Sequence, residues 1–258
     1  TTGEGVSLTS SERRQLAEEW KKVLPPGLKL IVHVGHQSLA ESCALAQHAQ
    51  RVGVDAIAAI APSFFKPGGV DDLVHWAERV AAAAPKLPFY YYHMPSMTGV
   101  RISAAQFLSR ASESVPNLAG VKFTDEDIED FKAALLIAGE RYDVLFGRDE
   151  LLLTGLENGA TGAVGSTYNY AAPLYLEIMR ASKAGERAKA EKNQAFARAF
   201  IDVMVKHGGL PAGKAIMQLI GLDCGPVRPP LRSLSRTEVA ALRADLDSLG
   251  FFSCASTL

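Results

Sequence analysis

The chain has 258 residues, 48% hydrophobic and 21% charged, with a net charge of −1; that is apolar material enough for one α/β barrel or two small domains. No block of lysines or arginines stands out, which excludes the electrostatic footprint needed to bind nucleic acid or an anionic membrane non-specifically. Cys43, Cys224 and Cys254 lie far apart without Cys-x-x-Cys or Cys/His spacing, pointing to reduced thiols and no zinc site, and with no apolar run near the ~20 residues of a membrane span and no basic-then-apolar leader the expected location is the cytoplasm.

Thr1 to Gly5 reads as a polar turn. A helix follows from Ser7 to Trp20, with Thr9 or Ser10 as cap and Glu12 in its first turn, and Pro25-Pro26-Gly27 stops it. Leu30 to Gly35 is a strand and Ser38 to Arg51 a helix; the nearly continuous apolar run Ala56 to Ala61 suits a strand buried on both faces. Val70 to Ala84 is helical, Phe89 to Tyr92 a strand, and Ser103 to Ser112 a helix. Next comes the apolar run Gly120-Val121-Lys122-Phe123, a helix from about Glu126 to Ala138, the strand Val144 to Gly147, a helix from Glu150 to Asn158 and a small strand, Gly162 to Ser166. Helices fill the remainder, over about 174–184, 186–206, 211–220 and 235–249.

Such alternation of β and α with short loops means a parallel sheet. Strands of four to six residues, the absence of a GxGxxG turn and polar residues at several strand ends favour closure into a (β/α)8 TIM barrel. The barrel spans residues 1–172, and residues 173–258 supply its last helix and a helical extension of the same structural domain.

In a barrel the chemistry sits at the C-terminal ends of the strands. Lys122 lies at such an end, inside an apolar run. An ammonium there loses hydration, which favours the neutral amine, a nucleophile that forms Schiff bases with carbonyls; a strand-end lysine that snorkels to water has the same sequence pattern. Tyr92 closes Tyr90-Tyr91-Tyr92 and suits a proton relay, although alternation sends Tyr91 to the opposite face from Tyr90 and Tyr92, so at least one of the three is packing. Thr1 and Thr2 offer hydroxyls and N–H groups that suit a small carboxylate or an ordinary capping turn. Gly147-Arg148-Asp149-Glu150 sets two acids where a helix cap also wants them, and Gly165-Ser166-Thr167 adds hydroxyls beside a glycine that admits close approach. The six histidines have no metal-ligand spacing, and none is given a role.

Tyr92-His93-Met94-Pro95, Val121-Lys122-Phe123-Thr124, Gly147-Arg148-Asp149-Glu150 and the segment Gly159 to Asn169 together resemble the N-acetylneuraminate lyase and dihydrodipicolinate synthase family of class I aldolases, along essentially the whole chain. Phe89-Tyr90-Tyr91-Tyr92-His93 looks most like the animal lyases. The resemblance implies cleavage of sialic acid to N-acetylmannosamine and pyruvate, with no cofactor, by a homotetramer. It makes Lys122 the Schiff-base lysine and Tyr92 the proton relay. Thr1 and Thr2 would hold the substrate carboxylate, and Thr124, Gly147, Asp149, Glu150 and Ser166 the hydroxylated tail. The synthases of the family carry an arginine after the Tyr-x-x-Pro motif; this chain has Met97, which cannot pair with a second carboxylate. Another pyruvate-dependent aldolase of the family is the alternative. The family's barrel also begins with a strand, a helix and a second strand ahead of the Thr-Thr-Gly-Glu turn, so the first strands are expected to be missing from these residues, and an inactive truncated form acting by binding or subunit association is the remaining reading.

Overall fold

Thr9 sets the first helix. Its hydroxyl accepts from the Glu12 N–H at 3.2 Å while the Glu12 carboxylate accepts from the Thr9 N–H at 2.8 Å. This capping box starts α1 (Ser10–Val23), and the Pro25-Pro26 pair beyond it cannot continue the helix. The computed structural model describes residues 1–256, which divide into two compact units: Leu8–Gly147, and Thr1–Ser7 together with the chain from Arg148 onward.

The first unit repeats strand and helix. After α1 come β1 (Ile31–His33), α2 (Leu39–Val52), β2 (Ala56–Ile60), α3 (Val70–Ala82), β3 (Phe89–His93), α4 (Pro95–Thr98), α5 (Ala104–Ser114), β4 (Leu118–Phe123), α6 (Ile128–Ala138) and β5 (Asp143–Phe146). Each strand pairs with the next one in parallel, in the order β1-β2-β3-β4-β5. Ser38, Ser103 and Asp127 cap α2, α5 and α6 by accepting from the N–H three residues on. Ile57, Phe89, Val121, Phe123 and Phe146 from the strands are fully buried or nearly so, as are Leu73, Phe107, Leu108 and Phe131 from the helices. Rings interlock across this layer: Phe131 lies 5.4 Å from Phe123 and 5.0 Å from Phe146, in the range where aromatic pairs attract.

The second unit is helical among its described residues: α7 (Leu152–Glu157), α8 (Tyr168–Lys183), α9 (Arg187–Lys206), α10 (Leu210–Leu219) and α11 (Arg236–Leu249). Leu174, Tyr175, Ile178, Phe200, Ile216, Leu242, Leu246 and Phe251 share its core. Glu4 fastens the opening turn to it. Buried, and the one described non-glycine residue at positive φ (53°), Glu4 binds the Lys214 ammonium at 2.8 Å and accepts from the Arg228 N–H at 2.6 Å. Burial alone would raise its pKa; Lys214 and the N–H outweigh that and hold the carboxyl below its usual range.

The α/β alternation and parallel sheet stand as read from the sequence, with three differences of detail. The expected strand Gly162 to Ser166 is reduced to an isolated bridge at Ala163, because glycines on both sides of Ala163-Val164 leave little to hold an extended ladder. The helix expected from residue 174 begins earlier, at Tyr168, and runs through Pro173 with a break at Ala171 (φ −134°, ψ 27°), since proline cannot donate to the preceding turn. A one-turn helix, α4, follows β3, started by Pro95 at its first position.

Candidate active site

Within the first unit, the β3–β4 register sets Tyr92 beside Lys122. The lysine is partly exposed rather than sealed in, and its Nζ lies 3.9 Å from the centroid of the buried Tyr92 ring, close enough for a cation–π attraction. The Tyr92 hydroxyl donates to Met94 Sδ at 3.0 Å, a weak acceptor that a substrate oxygen can displace. The other two tyrosines have different tasks. Tyr91 points to the opposite face and packs 4.3 Å from Phe107; Tyr90 donates to Asp143 at 2.6 Å, at the far end of the sheet, and burial, then Asp143, push its pKa up.

Thr124 follows Lys122 by two residues and is buried, its Oγ1 lacking a hydrogen-bond partner among the described residues. Gly147 continues the ladder, donating from its N–H to Phe123 O at 2.7 Å, and a Cβ there would overlap Thr124 Oγ1. Lys122, Tyr92, Thr124 and Gly147 are thus gathered at the C-terminal ends of β3, β4 and β5. The opposite ends of these strands border a cavity of about 450 Å³ lined by residues such as Lys86, Pro88, Asn117 and Tyr142.

The second unit holds the remaining expected residues. Thr2 Oγ1 and Ser166 Oγ are 2.7 Å apart, and the backbone oxygen of Thr1 accepts from the Glu4 N–H at 2.9 Å, so the threonine turn and the Ser166 loop meet. Asp149, 6% exposed, sits in a short 3-10 turn ahead of α7. Its Oδ2 accepts from both the N–H (2.9 Å) and the hydroxyl (2.6 Å) of Thr167. Glu150 pairs with Arg148 at 2.7 Å. A Cβ at Gly165 would overlap the Asp149 carboxylate, so only glycine lets that backbone pass.

A model of the dihydrodipicolinate synthetase family matches residues 1–249. The N-acetylneuraminate lyase of Mus musculus is 46% identical over 260 residues, covering 99% of this chain and 81% of the mouse protein. Its Homo sapiens counterpart is 46% identical over 257 residues, 98% and 80% of the two chains. The chain belongs to the dihydrodipicolinate synthetase family. Among solved structures, the N-acetylneuraminate lyase of Proteus mirabilis superposes with a TM-score of 0.94 at 43% identity, over 97% of this chain and 85% of that one. Family membership accounts for the parallel α/β sheet and for the order of its motifs.

Two residues of this family member escape a reading by motif. His33, at the end of β1, presents its ring edge-on to Tyr92 at 6.3 Å, and its Nε2 accepts from the Ile60 N–H at 3.1 Å. Arg13 braces the same strand end by donating to His33 O (2.8 Å) and Gly35 O (3.0 Å). Burial, followed by the charges of Arg13 and Lys122, pulls the His33 pKa from 6.5 down to about 3, so the imidazole is neutral. Thr167 is the other: its side chain binds Asp149 rather than capping α8, which it precedes. No spacing singles out His33, and the run Gly165-Ser166-Thr167 marks a hydroxyl at Thr167 without pointing to Asp149 as its partner. Among the described residues no group of three or more His, Cys, Asp or Glu could hold a metal ion, and no helix is long and apolar enough to cross a membrane.

Proposed function

We propose that this chain is a Schiff-base aldolase that cleaves N-acetylneuraminate reversibly to N-acetylmannosamine and pyruvate. The observation that carries the reading is the Lys122 amine lying over the Tyr92 ring, on neighbouring strands of a chain 46% identical to the mouse lyase over nearly its whole length. A related structure, that of a Ruminococcus gnavus sialic acid aldolase at 29% identity, describes its altered residue as a catalytic lysine, which supports giving Lys122 that task.

The chemistry follows from the groups present. Lys122 Nζ, as the free amine, adds to the C2 ketone of the open-chain sugar acid; loss of water leaves a protonated imine. The C3–C4 bond then breaks, its electron pair flowing into the iminium to give an enamine, while the Tyr92 hydroxyl takes the C4 hydroxyl proton as it passes its own to the substrate carboxylate, where the proton is held for return to C3. N-Acetylmannosamine leaves as the aldehyde. Protonation of the enamine at C3 and hydrolysis of the imine release pyruvate and restore the lysine. Thr1 and Thr2 bind the carboxylate, and Thr124, Gly147, Asp149, Glu150 and Ser166 bind the hydroxylated tail. A buried hydroxyl without a partner among the described residues, such as Thr124 Oγ1, penalises a ligand that brings nothing to bond with it.

The reading takes the fold as a (β/α)8 barrel over residues 1–172, to which strands beyond the five of this sheet belong, with residues 173–258 as last helix and extension. It also takes the protein as cytoplasmic and homotetrameric. Adjacent Phe64 and Phe65, 77% and 85% exposed, support the second point, because two apolar rings side by side on a surface suit burial against another subunit.

Incubation with pyruvate and borohydride, then peptide mapping by mass spectrometry, tests the mechanism. A reduced pyruvyl adduct on Lys122, absent in Lys122→Arg, is expected. Folded protein that takes up no adduct overturns the aldolase reading and leaves a protein acting by binding or subunit association.

A further inference from the structure

The Asp149 carboxylate is held from behind by a chain of buried groups that the aldolase chemistry itself does not require. Thr167 has one hydroxyl hydrogen, and a carboxylate can only accept. The 2.6 Å contact between Thr167 Oγ1 and Asp149 Oδ2 therefore fixes that hydrogen, and the 2.6 Å contact between Thr167 Oγ1 and the Tyr175 hydroxyl must run the other way, from the phenol to the threonine. Tyr175 is suited to be a permanent donor. Burial, and then the nearby Asp149 charge, drive its pKa far up despite the opposing threonine bond, so the phenol keeps its proton. Gln194, on α9, fixes the backbone of the same turn: its Nε2 donates to Asp149 O at 3.2 Å and its Oε1 accepts from the Leu153 N–H at 2.9 Å. Thr167, Tyr175 and Gln194 are all buried, and the Tyr168 ring packs edge-on against Tyr175 at 4.4 Å.

Three donor groups and an amide devoted to one buried acid are a costly way to gain stability, since apolar packing of the same volume generally does as well. They are an effective way to aim one oxygen. With Oδ2 gripped by two donors of a single residue, the plane of the carboxylate is set, and Oδ1 is turned toward the bare backbone of Gly165. We infer that Thr167, backed by Tyr175, is a positioning residue that orients Asp149 as an acceptor for the distal hydroxyls of the substrate and so sets the preference for long polyhydroxylated ketoacids over short ones. This rests on the reading of the site as one that takes a keto sugar acid.

The test uses the full chain with Thr167→Val, Thr167→Ser and Tyr175→Phe, and two readouts. The first is calorimetric binding of the open-chain alditol of N-acetylmannosamine, which carries the hydroxyls but cannot react. The second is the ratio of kcat/KM for aldol synthesis from pyruvate with N-acetylmannosamine to that with glycolaldehyde, which has a single hydroxyl and none of the distal ones. Leaving a carboxylate without its buried donor is expected to weaken alditol binding by about tenfold or more in Thr167→Val and to lower the ratio similarly. Thr167→Ser restores both, and Tyr175→Phe falls between. A Thr167→Val protein that binds the alditol as the parent does, or that loses both aldol reactions in equal proportion, overturns the inference, as does a parent that does not bind the alditol. The pyruvate adduct on Lys122 is scored separately: its absence beside a Thr167-dependent alditol affinity would count against the aldolase while leaving the positioning role intact, and its presence with an unchanged ratio would do the reverse.

Discussion

Lys122 and Tyr92 show how one rung of a sheet sets an amine beside a phenol ring. Parallel register places the two side chains on one face of adjacent strands, and the ring offers the ammonium an apolar seat with a negative face. Tyr92→Phe keeps the seat and removes the oxygen. Its turnover of sialic acid is therefore expected to fall by roughly 10²–10⁴-fold, while the reduced pyruvyl adduct still forms on Lys122; equal loss of both would mean that the ring, not the hydroxyl, is what matters. His33 leads to a second expectation, concerning acid. A histidine that titrates near 6.5 when unfolded and about 3 when folded binds more protons in the unfolded chain, so it adds no penalty above pH 6.5 and destabilises the fold progressively as pH falls from 6.5 toward 3. Each pH unit inside that window removes up to about 1.4 kcal/mol. His93, buried and likewise shifted downward, adds to the same slope. Replacing His33 with Gln, whose amide oxygen can reach the place of Nε2 and accept from the Ile60 N–H, should flatten the dependence of melting temperature on pH between 6.5 and 4; an unchanged slope would show that this imidazole is not kept neutral by its surroundings.

At the level of elements, the β4–β5 ladder depends on Gly120. It pairs with Asp143, and a Cβ at 120 would overlap the Asp143 carbonyl. Gly120→Ala is expected to cost about 2–4 kcal/mol, through ladder separation and strain at the Tyr90–Asp143 bond. Denaturant midpoints would show it, and a variant as stable as the parent would mean that the strands can spread at no cost. The helices and the first five strands were legible because their signals are local. Thr9, Ser38, Ser103 and Ser235 are caps followed at the third position by a donor N–H, and Ala56 to Ile60 is apolar throughout. Lys122 was legible for a related reason, as a charge in an apolar run. The segment from Gly162 to Ser166 misled because a short small-residue run at the place of the next strand in a βα repeat reads as one, while its glycines remove the side chains that would hold it. The pairings of His33 with Tyr92 and of Thr167 with Asp149 were hidden because the partners lie 59 and 18 residues apart, and no spacing in one sequence encodes such a meeting.

For the molecule as a whole, the exposed Phe64 and Phe65 bear on assembly. If they are covered by a second copy, Phe64→Asp with Phe65→Asp should reduce the mass measured by light scattering after size exclusion, without loss of helical circular dichroism. An unchanged mass would remove this surface from the assembly. The Glu4 clamp has a consequence of a different kind, one that concerns time. Residue 4 is tied to residues 214 and 228, so the turn bearing Thr1 and Thr2 is secured by groups more than 200 positions away along the chain. On a ribosome that emits residues one after another, the sheet strands from Ile31 to Phe146 can pair while Lys214 is still unmade. The turn of Thr1 to Glu4 precedes those strands in the chain, yet it gains the Glu4 clamp only when Lys214 and Arg228 have emerged, well after Ser166, its other contact, is made.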